Sequence, residues 1–90
     1  MSLEEIKLPV LMVLQKFKNL NVDEFFANYF KMHLVDLQPS SYGCKDQTSL
    51  VVKLATELDI VDLTSVNGSM IINISQVSFI QILSYQMLQI

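Results

Sequence analysis

Arginine is missing from this chain, and six lysines stand against nine Asp and Glu residues, for a net charge of −3. Arginine is the side chain best shaped for phosphates and base edges, and nucleic-acid binders normally carry a basic footprint. Nonspecific binding to RNA or DNA is therefore disfavoured. Cysteine is nearly as scarce. Cys44 stands alone, so there is no disulfide frame and no thiolate cluster. With His33 the single histidine, a metal would have to be held by scattered carboxylates; no metal and no cofactor is expected. The lone cysteine is in keeping with an intracellular compartment. The only two glycines, Gly43 and Gly68, exclude a phosphate-cradling loop of the GxxxxGK type. Ser, His and Asp all occur, but a triad needs strained geometry and a pocket that a chain this short rarely supplies. The expectation is a protein that is not an enzyme. Glu4 and Glu5 sit where a secretory leader carries positive charge, so no leader is expected.

Charge also runs out along the chain. Asp62 is the last charged residue, and 28 residues follow it. The segment 76–90 is too short to cross a bilayer and is interrupted by Gln76, Gln81, Gln86 and Gln89, so no membrane span is expected. An end inside an apolar helical pattern is what a domain cut from a longer protein would show.

What is present is apolar. Hydrophobic residues make up 51% of the 90 positions and charged ones 17%. That composition excludes disorder and fits one domain, 1–90, whose surface is partly covered in its natural setting. Pro9 belongs in a first helical turn, so a helix is expected from about Leu8 to Lys18, burying Val10, Val13, Leu14 and Phe17. Residues 3–7 would form a separate turn or a frayed extension. Asn21 and Glu24 have the spacing of a capping box, which starts a second helix over about 22–34. Its core stripe would be Val22, Phe25, Tyr29 and Met32. Phe26, Phe30 and His33 fall on a second stripe further round, more apolar surface than one core requires.

"LQPSSYGCKDQ" over 37–47 is turn-rich, with one helical turn expected at 39–42 and a positive φ at Gly43. A third helix follows from about Gln47 to Leu58, capped by Asp46 and burying Leu50, Val51, Leu54 and Leu58. The period then changes. "IVDL" and "MIINI" bracket Asn67-Gly68, a pair suited to a tight turn, and read as a β-hairpin. Helical spacing returns over 76–90. The fold class is mainly α with a small β-hairpin (α+β): a winged helix-turn-helix with an extra C-terminal helix.

On those residues the chain resembles the LOTUS domain, also called OST-HTH. Val22, Phe25 and Tyr29 match that family's second helix, and Leu37, Pro39, Tyr42 and Gly43 match its turn. Ser49, Leu50, Leu54 and Leu58 match the next helix; Asp59 to Leu63, Asn67-Gly68 and "MIINI" match the wing. Cys44 departs from the aromatic that usually follows the glycine, and two residues stand extra before Ser49. The match covers about 8–74. The resemblance implies a protein-interaction module of a germline or ribonucleoprotein-granule protein, cytoplasmic, as in Oskar, Tejas and Tudor-domain-containing proteins. An extended subclass adds a C-terminal helix, which docks with the second helix on the C-terminal lobe of a DEAD-box helicase of the Vasa kind. Other members bind G-rich quadruplex RNA or form homodimers.

The helical wheel of 76–90 agrees with an extended member. Val77, Phe79, Ile80, Leu83, Met87 and Leu88 span about half the circumference, where a surface helix needs only about 100°. Ile82 and Tyr85 lie outside even that arc, among the glutamines. Uncharged faces rich in Tyr, Phe and Met resemble interface centres. The expected partner-binding residues are Phe26, Phe30, His33, Ile82, Tyr85, Leu88 and Gln89. Two alternatives stay open: a last helix that only covers the sheet, and a self-interface. RNA binding, if present, would rest on Lys45 and Lys53 and fall steeply with salt. The outer face of the third helix (Gln47, Thr48, Lys53, Thr56 and Glu57) sets one lysine against a glutamate and makes a poor groove reader, so no DNA is expected.

Overall fold

The computed structural model describes residues 2–76. It is an α+β fold in which three helices pack on a small three-stranded antiparallel sheet. Ser2 and Glu5 cap a 3-10 turn at Leu3–Ile6, which leads into α1, Lys7–Lys16. Helix α1 ends two residues before the expected Lys18, because the chain becomes extended at Phe17 (φ −120°, ψ 138°). Asn19 then turns with φ 56° into a two-residue strand, β1, Leu20–Asn21.

Helix α2, Val22–His33, begins as its capping box requires. The Asn21 side chain accepts from the Glu24 N–H at 2.8 Å, and the Glu24 carboxylate accepts from the Asn21 N–H at 3.0 Å. Two orphan amides of the first turn are thus satisfied reciprocally. A 3-10 turn follows at Pro39–Tyr42, ended by Gly43 at φ 73°, where a side chain would be strained. Helix α3 spans Gln47–Lys53 and continues as a π-turn over Leu54–Leu58, ended by Asp59 at φ 54°. The Thr56 hydroxyl donates back to the carbonyl of Val52 at 3.1 Å within this wider turn.

Strands β2, Val61–Val66, and β3, Ser69–Ile74, form the hairpin, with Asn67 and Gly68 both at positive φ. Its register sets Leu63 against Ile72 and Val66 against Ser69. Strand β3 is central, because β1 pairs with its other side, Leu20 against Ile72. An asparagine pair locks that second seam. Asn19 N–H donates to Asn73 Oδ1 at 2.8 Å, and Asn73 Nδ2 donates to Asn19 Oδ1 at 2.9 Å. The expected two-stranded hairpin is therefore the larger part of a three-stranded sheet.

The core is where these layers meet. Val10, Val13, Leu14, Phe25, Leu50, Val51, Leu54, Ile60 and Ile72 are all fully buried. Phe17, Val22, Met32 and Leu58, also expected inside, are partly buried against them. Ser75 closes the end of β3, its hydroxyl donating to the Asp59 carbonyl at 2.8 Å and its N–H to that of Ile60 at 2.9 Å.

The Asp46 cap of α3 yields a pH prediction. Its carboxylate accepts the Ser49 N–H at 2.8 Å, and that hydrogen bond holds the carboxyl below its usual pKa. A carboxyl depressed in the folded state contributes stability above its unfolded value of about 3.9, lost as pH falls through the folded one. The expected result is a melting temperature that drops on acidification below about pH 4, with a shallower drop in Asp46→Asn. Thermal melts across that range check it.

Candidate functional site

Helix α2 carries the residues that the sequence singles out, and the structure separates them. Phe26 is 8% exposed and packs edge-on against Phe25, ring centres 5.5 Å apart and planes at 84°. This corrects the expectation that Phe26 faces a partner. Helix α2 is flanked by α1, α3 and β3, so it buries a wider arc than a helix lying on one core. Phe26 belongs to the core.

His33 is half-buried and has a structural role. Its Nε2 lies 2.9 Å from the carbonyl of Pro9. A carbonyl can only accept, so that nitrogen carries the proton. The bond ties the end of α2 to the first turn of α1, and the imidazole stacks at a tilt on Tyr29, 4.7 Å between ring centres. Burial raises the pKa of the Tyr29 phenol, with Tyr42 adding to the effect.

Phe30 is the member of the second stripe that remains open, at 49% exposure. Two neighbours that the sequence reading missed join it. Leu34 is 78% exposed and Val35 59%. Leu34 is the left-handed C-cap of α2, at φ 57° and ψ 26°, with its N–H donating to the Phe30 carbonyl at 2.7 Å. Residues at this position are usually Gly or Asn. A bulky leucine held there, bare to solvent, was detectable in sequence only as an apolar pair directly after the helix. On α1, Leu8 and Met12 are also exposed. The result is an apolar edge at the end of α2.

The lysines proposed for RNA are differently placed. Lys53 is engaged: its Nζ donates to the Tyr42 carbonyl at 2.8 Å and lies 3.8 Å from the Glu57 carboxylate. It thereby fastens the 39–42 turn to α3. Lys45 is exposed on the loop before α3. The outer face of α3, with Gln47, Thr48, Thr56 and Glu57 exposed, has its one lysine tied down.

Cys44 is half-buried, its N–H donating to the Pro39 carbonyl at 3.0 Å and its thiol to that of Tyr42 at 3.6 Å. Among the described residues no three His, Cys, Asp or Glu side chains are grouped to hold a metal ion. No described helix is long and apolar enough to cross a membrane. The expected contacts Ile82, Tyr85, Leu88 and Gln89, and the helix expected over 76–90, lie outside the described residues apart from Gln76. No family model, curated protein or solved structure matches the chain.

Proposed function

We propose that this chain is a winged-helix domain of the LOTUS kind, and that it serves as a non-catalytic docking module for a protein partner. The C-terminal lobe of a DEAD-box helicase is the partner that the resemblance names. Cytoplasmic ribonucleoprotein or germ granules are where such a module would work. The element order supports the winged helix: helix, strand, helix, helix, hairpin, with the early strand paired to the last. Two of the turn residues that carry the resemblance support it, Leu37 by being buried and Gly43 by its left-handed backbone.

The observation that carries docking is Leu34. A left-handed non-glycine residue costs about 1–2 kcal/mol, and this one recovers little by burial, since it is 78% exposed. Strain held at an exposed apolar side chain is the pattern of a contact residue. It adjoins Phe30 and Val35, and exposed apolar clusters mark interaction surfaces.

Leu34→Gly separates the two roles. Relief of strain, less the flexibility gained by the unfolded chain, should stabilise the fold by roughly 0.5–1 kcal/mol. Binding to the helicase lobe should weaken about tenfold, a typical loss for an interface side chain. Denaturant titration and calorimetry on the same protein read both. Stabilisation with unchanged affinity would remove Leu34 from the interface. An RNA-binding reading has less support, because Lys53 is engaged within the fold. Self-association has one observation in its favour, the outer edge of β2, which pairs with no strand among the described residues. Exposed Asp62 guards that edge.

A further inference from the structure

A cleft of about 410 Å³ opens between the end of α1 and α2, lined by Lys16, Phe17, Asn28, Lys31 and Met32. Its volume lies within the range of about 300–1,000 Å³ that receives small ligands. Phe17 and Met32 are half-buried against the core and supply apolar surface. Lys16 and Lys31 stand exposed, the Lys16 ammonium 5.7 Å from the centre of the Phe17 ring. Neither lysine has a carboxylate partner among the described residues, where Lys53 is paired with Glu57. The carboxylate one turn before Asn28, Glu24, is committed to the Asn21 N–H. Asn28 Nδ2 donates to the Glu24 carbonyl at 2.8 Å, which leaves its Oδ1 as an acceptor. In a chain of net charge −3 this is a local basic spot.

We propose that this cleft docks an acidic peptide segment of a partner protein. A bulky apolar side chain would seat on Phe17 and Met32, and a flanking carboxylate would lie between Lys16 and Lys31. The combination selects the ligand: the apolar surface favours an aromatic or branched side chain, and the two exposed ammonium groups favour negative charge beside it. A nucleic acid suits it less, since two lysines neutralise few phosphates. The site is independent of the docking edge proposed above, because Asn28 and Phe30 point about 160° apart around α2 at 100° per residue.

The test is an NMR titration of the full chain with the blocked peptide acetyl-Glu-Phe-Asp-Leu-amide, and with its neutral counterpart acetyl-Gln-Phe-Asn-Leu-amide. Saturable shifts are expected at Phe17, Asn28, Lys31 and Met32, with a Kd of about 1 mM or tighter for the acidic peptide. The neutral peptide and the double variant Lys16→Gln, Lys31→Gln should each bind at least about fivefold more weakly, and added salt should reduce the difference. Both lysines are exposed, so the variant should keep its fold, which its own spectrum verifies. Met32→Ala, which removes apolar surface but no charge, should weaken both peptides alike. Absence of saturable shifts up to about 10 mM peptide would overturn the proposal. Equal affinity for the two peptides, or an unaffected double variant, would do the same. Tighter binding of a single-stranded RNA to these residues would reassign the cleft to a polyanion.

Discussion

Phe25→Ala is expected to lower the unfolding free energy by about 3–5 kcal/mol, the usual cost of removing a fully buried phenylalanine. Small domains hold only about 5–15 kcal/mol in total, so a large share of the margin would go. The reason lies in its surroundings. Phe25 is fully buried on the helix that meets α1, α3 and β3 together. Its removal opens a cavity where every layer converges, and a close-packed interior relaxes only partly around such a void. The edge contact with Phe26 is lost as well, worth about 0.5–1.5 kcal/mol beyond area burial. Phe26→Ala should fall in the same class, because that ring is also buried. Phe30→Ala should cost less than about 1 kcal/mol, as substitutions of half-exposed side chains usually do. Urea titrations of the three variants check the order. A Phe26 variant as mild as the Phe30 one would return Phe26 to the surface.

Ile72→Ala is expected to cost about 2–5 kcal/mol, again by cavity formation. Ile72 is fully buried at the centre of the sheet, paired with Leu20 on one side and Leu63 on the other. The two-residue strand β1 has little of its own to hold it. Its register depends on Ile72 and on the Asn19–Asn73 pair. The variant should therefore lose amide protection at Leu20 and Asn21 before the hairpin opens, a sequence that hydrogen exchange resolves. A loss of under about 1 kcal/mol would mean that the sheet is poorly packed on the helices.

Features set by local chemistry were legible in the sequence. Asn21 and Glu24 announce the start of α2 because a capping box needs only residues three apart. Asn67-Gly68 announces the hairpin because few other pairs take two positive φ values in succession. Gly43 ends the 39–42 turn for the same reason. What failed was non-local. Strand β1 has two residues and no alternating pattern, and its partner Ile72 lies some fifty positions away. Phe26 lies in the core although a helical wheel sets it off the core stripe, because a wheel gives an angle but not the number of neighbours around the helix. The partial burial of His33 follows from one bond to Pro9, on another helix. Leu34 carries no sequence signal because apolar residues after a helix are ordinary; its left-handed backbone makes it exceptional. The cleft of Lys16 and Lys31 joins two helices and has no sequence signature at all.

The most direct measurement maps the footprint of a DEAD-box helicase C-terminal lobe on the isotope-labelled full chain by NMR. The docking account predicts saturable shifts concentrated at Phe30, His33, Leu34 and Val35, while Gln47, Thr48 and Thr56 on the outer face of α3 stay unmoved. No saturable shift, or shifts confined to α3, would contradict it.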